Sequence, residues 1–296
     1  MCRRRHTVVN AARIFCRASA ALLLAFGMSS AFADGRLLAT GGASQVEGTA
    51  GGGLVPWAVL TGYGTEDESG VSAFRTHLNL PDYDLDVYGL GFTVADRLEF
   101  SVARDRFDLG TLGRAIGMPG AALRQDVYGL KVRLFGDLVY GGLPQVSLGI
   151  MDKHNVDFAI PKLVGAEHSQ GTDVYLAATQ LLMGALDGYN VVWDVTARST
   201  SANQFGLLGF GGDKGGRHIV GEGSLAVLFD PHFAAGVEYR QKPDNLGFAK
   251  EENASDVFVG WFPNKHVSLV AAYVSLGSIA GLQQQRGWYL SLQGSL

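Results

Sequence analysis

Residues 125–134 read QDVYGLKVRL, nearly a second printing of LDVYGLGFTV at 85–94, and TDVYLAATQL (172–181) and SDVFVGWFP (255–263) echo it. Successive aspartates lie 40, 47 and 83 residues apart, the last about two intervals. A recurrence near forty residues marks an array of similar supersecondary units. Inside each unit the side chains alternate with a period of two, the signature of a strand with two unlike faces. Tyr128, Leu130, Val132 and Leu134 oppose Gly129, Lys131 and Arg133; Val191, Trp193 and Val195 oppose Asp194, Thr196 and Arg198; Val237 and Tyr239 oppose Glu238 and Arg240. Tight turns such as 95–97, 136–137, 186–188, 230–231 and 264–265 alternate with long polar loops near 109–122, 156–171, 201–216, 243–254 and 277–284. The repeating unit is therefore a hairpin followed by a long loop.

Residues 1–33 predict an export signal. Arg3, Arg4, Arg5, Arg13 and Arg17 precede the apolar run 21–28, and Ala31 and Ala33 form an A-x-A cleavage pattern. That run is too short to span a bilayer as a helix. Removing it takes both cysteines and five of the 24 basic residues but none of the 28 acidic ones. What remains has 19 basic against 28 acidic side chains, a net charge of −9, no disulfide and no thiolate metal site. That balance excludes a nucleic-acid partner.

Exported antiparallel hairpins build either a soluble barrel, greasy side in, or a transmembrane barrel, greasy side out. Predicted strands match the roughly 9–11 residues that cross a bilayer at a tilt. Short turns on one rim and long loops on the other favour the membrane. The chain ends on an amphipathic strand, with Trp288, Leu290 and Leu292 against Tyr289, Ser291 and Gln293. Such a strand is the segment read by the barrel-assembly machinery, although Leu296 stands where a terminal aromatic is usual. The expected architecture is an all-β, up-and-down transmembrane barrel over 71–296 with about twelve strands. Fourteen is the alternative, if 36–64 adds a pair. An even count leaves both termini periplasmic and places the protein in a Gram-negative outer membrane, against lipid and lipopolysaccharide. Each Asp-Val-aromatic then heads an inward-running strand at its outer end. Tyr88, Tyr128, Tyr175 and Phe258 are expected in the outer aromatic girdle, with Trp193 and Trp288 completing the belts. Gly89 and Gly129 are expected to leave lumenal space.

The stretches TGGASQVEGTAGGGLVPWAVLTGYG (40–64), LRQDVYGLKVRLFGD (123–137) and LPQVSLG (143–149) resemble a proteobacterial domain-of-unknown-function family. The resemblance implies an exported outer-membrane barrel and attaches no activity or site.

Residues 34–70 form a Gly-rich N-terminal segment, expected in the periplasm or the lumen, where it would act as a plug. The glycines at 41–53 lack the Gly-Lys-Ser/Thr ending of a phosphate loop and the strand–helix context of a dinucleotide fingerprint. His77, His154, His168, His218, His232 and His266 are scattered singly, without metal-ligand spacing. No G-x-S-x-G elbow occurs, and His77 and His218 are the histidines a barrel hydrolase or protease would use. Asp82, Asp84 and Asp86 alternate on one face, as plain solvated carboxylates or as bridges through divalent cations to headgroups. No metal or other cofactor is expected. The lumen wall collects Glu99, Lys131, Arg133, Asp194, Arg198, Glu222, Glu238 and Arg240. Opposed charges on such a wall suit a narrow channel for small polar solutes. A structural or adhesive barrel, with those charges paired across strands, is the alternative, and an enzyme the third. The solute and the oligomeric state leave no mark in the sequence.

Overall fold

The computed structural model describes residues 37–296, so the predicted signal lies outside the described residues. Two two-residue strands, β1 (Ala43–Ser44) and β2 (Ala50–Gly51), pair with each other in a sheet of their own. Twelve strands then form one closed barrel: β3 (Ser69–Asn79), β4 (Asp84–Val94), β5 (Leu98–Asp108), β6 (Ala122–Phe135), β7 (Gln145–Asn155), β8 (Gln170–Leu186), β9 (Tyr189–Thr200), β10 (His218–Leu228), β11 (Phe233–Arg240), β12 (Ala254–Asn264), β13 (Val267–Ser275) and β14 (Arg286–Ser295). All neighbours are antiparallel, and β14 closes on β3 with Trp288 opposite Asn79 and Ser295 opposite Ser72. Two short helices, α1 (Gly110–Ala115) and α2 (Ala159–Leu163), sit in the long loops. The further pair that would have made fourteen wall strands does not form: residues 52–64 contain no strand, and the short β1–β2 pairing stays apart from the closed sheet.

Alternation decides which way each side chain looks. Leu90, Phe100, Leu130, Val195 and Val257 are exposed on the outer surface, while Glu99, Lys131, Asp194 and Arg198 are almost wholly buried inside. An exposed apolar belt around a polar interior is stable only against hydrocarbon, so the protein is an outer-membrane barrel. No helix among the described residues is long and apolar enough to cross a membrane; crossing is by strands. One rim carries the turns after β4, β6, β8, β10 and β12, and is periplasmic by the short-turn habit. The turn after β6 spans 136–144, longer than the expected Gly136-Asp137. Aromatic pairs mark both interfaces. Tyr189–Phe229 and Phe233–Trp261 lie near the periplasmic rim, and Tyr273–Trp288 lies at the outer one.

The repeated motif does not keep one face. In β4 and β6 the tyrosines Tyr88 and Tyr128 are exposed outward, as expected. In β8 and β12 the parity is opposite: Asp173, Tyr175, Asp256 and Phe258 point inward and are buried. Tyr175 and Phe258 therefore belong to the lumen and not to the girdle. Trp193 and Trp288 lie on the outer surface, Trp288 being 67% exposed. The space expected at Gly89 and Gly129 is filled, because a Cβ at either would collide with Phe74 or with Ser101 Oγ.

Candidate functional site

The lumen is occupied by the chain's own N-terminal segment. From Thr40 to Gly64 every residue is buried. The segment enters beside the start of β3, where Gly41 abuts Gly62 and Gly62 abuts Gly70. It climbs through β1 to a tip at 45–49, returns through β2 and descends to β3. Two glycines make this path possible. Gly48 takes a φ of +98°, and a Cβ on Gly52 would overlap the Glu238 carboxylate.

Wall side chains replace the water that would otherwise bond this backbone. Lys131 Nζ donates to the carbonyls of Ala50 (3.0 Å) and Val59 (2.7 Å), and Glu99 lies 3.5 Å from that ammonium. Glu99 in turn accepts from the amides of Ala50 (3.2 Å) and Thr61 (2.7 Å) and from Thr49 Oγ1. Glu238 accepts from the amides of Gly53 and Leu54, each at 2.6 Å. Thr179, which donates to Asp194 at 2.6 Å, accepts the amide of Ala58, while Gln145 and Ser147 donate to the Ala58 carbonyl. Trp57 Nε1 donates to Ser224 Oγ at 2.9 Å.

At the tip, Glu47 sits among three cations. Its Oε1 accepts from Lys153 and from Arg240 Nη2 (3.0 Å), and its Oε2 accepts from Arg198 Nη1 (3.0 Å) and lies 2.8 Å from Arg240 Nη1, which donates to the Leu54 carbonyl. Lys153 also reaches Asp173 Oδ2 at 2.6 Å, and Arg198 binds Glu222 through Nε and Nη2 (2.5 and 3.2 Å). Three cations thus face three carboxylates, all buried and in mutual contact. Burial of such charges is tolerated only because each is paired and hydrogen-bonded.

From the outer side, the loop between β9 and β10 folds inward over the same cluster. Its turn Asn203–Gly206 is buried, with Gln204 (φ 45°) and Phe205 (φ 63°) both left-handed, a conformation that non-glycine residues hold only when their surroundings enforce it. Lys153 donates to the Phe205 carbonyl at 3.3 Å, the Phe205 ring covers the Arg240 guanidinium at 4.3 Å, and Lys242 donates to Gln204 Oε1 at 3.0 Å. Lys242 and Glu251, in the loop after β11, form a buried pair at 3.1 Å. Burial pushes the Lys242 ammonium below its ordinary range and the Glu251 carboxyl above its own.

Among the wall candidates, Glu99 with Lys131 and Arg198 with Glu222 and Arg240 are brought together. Glu238 and Asp194 bind the segment's backbone and a wall threonine respectively. Arg133 lies at the periplasmic rim, half-buried, where it holds Asp96 and Asp137 of two turns and the Gly136 carbonyl. It is a rim clamp and not a constriction residue. Glu47 and Lys153 were not singled out from the sequence, and Asp173, read there as the outer head of a repeated strand, is instead buried in this cluster. Glu47 is the only charged residue between 37 and 65, and a lone charge in a Gly-rich apolar stretch is the signal that would have found it. His77 pairs with Asp86 (3.1 Å) and His218 with Asn245 (2.9 Å), five strands apart around the barrel.

Among the described residues no group of His, Cys, Asp and Glu has a metal-holding arrangement. The apolar void between segment and wall, lined by Ala43, Trp57, Phe258 and Phe262 among others, measures about 30 Å³, room for about one water.

Among solved structures the fold is similar to the KdgM porin (9% identity, TM-score 0.48, covering 76% of this chain and 99% of that one). It is similar also to the NanC porin (9%, 0.46, 75% and 97%) and to Omp33 of Acinetobacter baumannii (10%, 0.43, 78% and 99%). Among curated proteins none matches. The family described as "Protein of unknown function (DUF3034)" matches residues 40–293, from inside the lumenal segment to the last strand, and the chain belongs to it.

Proposed function

We propose that the protein is an outer-membrane channel for small polar solutes, closed in this conformation by residues 37–64 and by the inward-folded loop 201–217. The carrying observation is where the wall's polar groups go. Lys131, Glu99, Glu238, Gln145 and Ser147 bond chiefly to the backbone of a separate segment and not to facing wall strands. Twelve strands enclose more room than wall side chains alone fill, and a wall built for an inserted backbone becomes a polar conduit when that backbone leaves.

The test is single-molecule conductance in planar bilayers, comparing the full chain with a chain lacking 37–64. Folding of each is verified by heat-dependent migration in detergent gels. The full chain is expected to be mostly silent and the shortened one to pass current. A folded, shortened barrel that stays silent refutes the channel and leaves the structural barrel. Should the shortened chain not fold, Lys131→Met, which removes two hydrogen bonds to the segment, provides the same comparison through its opening frequency.

A further inference from the structure

We infer that Lys153, Arg198 and Arg240 form a binding site for a carboxylate-bearing solute, which Glu47 fills from within the chain. The site's existence rests on the geometry at the tip; its use in transport rests on the channel reading.

Four cationic nitrogens lie within ion-pair distance of the two oxygens of one carboxylate, Lys153 and Arg240 on one and Arg198 and Arg240 on the other, three of them as hydrogen-bond donors. An arginine with two nitrogens on one carboxylate is the arrangement that selects a planar, two-oxygen anion. The four residues that make these contacts are buried, so the carboxylate has exchanged its water for them entirely. Charge then fixes the class of occupant. With Glu47 in place, three cations meet Glu47, Asp173 and Glu222; with Glu47 withdrawn, the wall keeps three cations against two carboxylates. Withdrawal leaves that excess positive charge facing the opened lumen, and another single negative charge in the vacated place restores the balance. The ligand is therefore a monoanionic carboxylate. A more highly charged anion would overcompensate a wall that already carries Asp173 and Glu222. Glu47 being the only charge in its segment fits the same role: it is the one part of the segment that resembles such a solute. Solute and segment then compete for one site, and a ligand that binds only the open state shifts the population toward it.

Chemical rescue tests this. In the full chain, Glu47→Ala deletes the carboxylate and leaves room for acetate. The expected result is a lowered thermal unfolding midpoint that sodium acetate raises in a saturable way. Acetamide and sodium chloride at matched concentration should fail to do so. A site that responds equally to acetamide or to inorganic phosphate, or a wild-type midpoint that rises as much with acetate, overturns the assignment. Glu47→Ser serves if the alanine variant does not refold. Conductance separates the two ideas: acetate rescue in a barrel that never conducts retains the site and removes the channel. Conduction in Glu47→Ala without any acetate effect does the reverse.

Discussion

Lys131 shows how a single lumenal side chain carries function and fold at once. Replacing it with methionine keeps the stem's volume but takes the donor from the carbonyls of Ala50 and Val59. Glu99 keeps its donors from Ala50, Thr61 and Thr49 but loses the ammonium 3.5 Å away, so the segment is loosened at its carbonyls and at the carboxylate that holds its amides. Leaving buried acceptors unpaired costs on the order of 1–3 kcal/mol. Hydrogen exchange at the Ala50 and Thr61 amides should therefore accelerate by about tenfold or more. Unchanged exchange would show that the segment is held elsewhere. Gly52 is the complementary case: Gly52→Val drives a side chain into the Glu238 carboxylate and should displace the segment while the barrel wall persists, read as increased protease cleavage within 45–60. At this scale the sequence was partly legible. Alternation alone placed Glu99, Asp194, Arg198, Glu222, Glu238 and Arg240 inside, because parity is a local property of a strand. It was silent on their partners, since contacts such as Arg240 with Glu47 join residues 193 positions apart.

The strands were legible almost to their ends, and the loops were not. Apolar alternation and turn residues announce a hairpin locally, whereas the inward fold of 201–217 depends on Phe205, Leu207 and Leu208 finding a surface supplied by distant strands. The repeated motif misled in β8 and β12 for a reason the sequence itself contains. Beyond Tyr88 and Tyr128 the apolar series continues on the tyrosine's own parity (Leu90, Phe92; Leu130, Val132). Beyond Asp173 it runs on the opposite one (Val174, Leu176), which turns Tyr175 inward. The continuation, more than the motif, sets the face. Among the outer loops, the stretch after β7 is tied down by Asp157, which accepts from the Arg124 amide (2.9 Å) and, in a forked pair, from the Arg124 guanidinium (2.8 and 2.9 Å). The Arg124 side chain holds the Asp157 carboxyl below its ordinary range. A carboxyl depressed in the folded state stabilises above its unfolded pKa and loses that contribution as pH falls. Below about pH 4 the loop should loosen, read as faster exchange of the Val156 amide that donates to the Arg124 carbonyl. Arg124→Gln should flatten that pH dependence.

For the whole molecule, the decisive contrast lies between its two surfaces. Val195, midway along β9, faces lipid, and its neighbours Asp194 and Thr196 face the lumen. Val195→Arg should cost about 2–4 kcal/mol in refolding titrations in lipid vesicles, as for a cation at the bilayer midplane. Equal stability of variant and parent would place that surface in water. The inserted segment also has a geometry with mechanical meaning. It goes in and comes out by the same mouth, with Ala39 hydrogen-bonded to Tyr63 near the rim and Glu47 at the far turn. A strand threaded through a ring can be extracted only end-first, but a doubled-back one slides out whole. Tension applied at Leu37 from the mouth by which the segment enters would peel one limb of this loop away before the other. Traction from the cell interior is thus the direction in which the ring can be emptied without breaking a single bond of its wall.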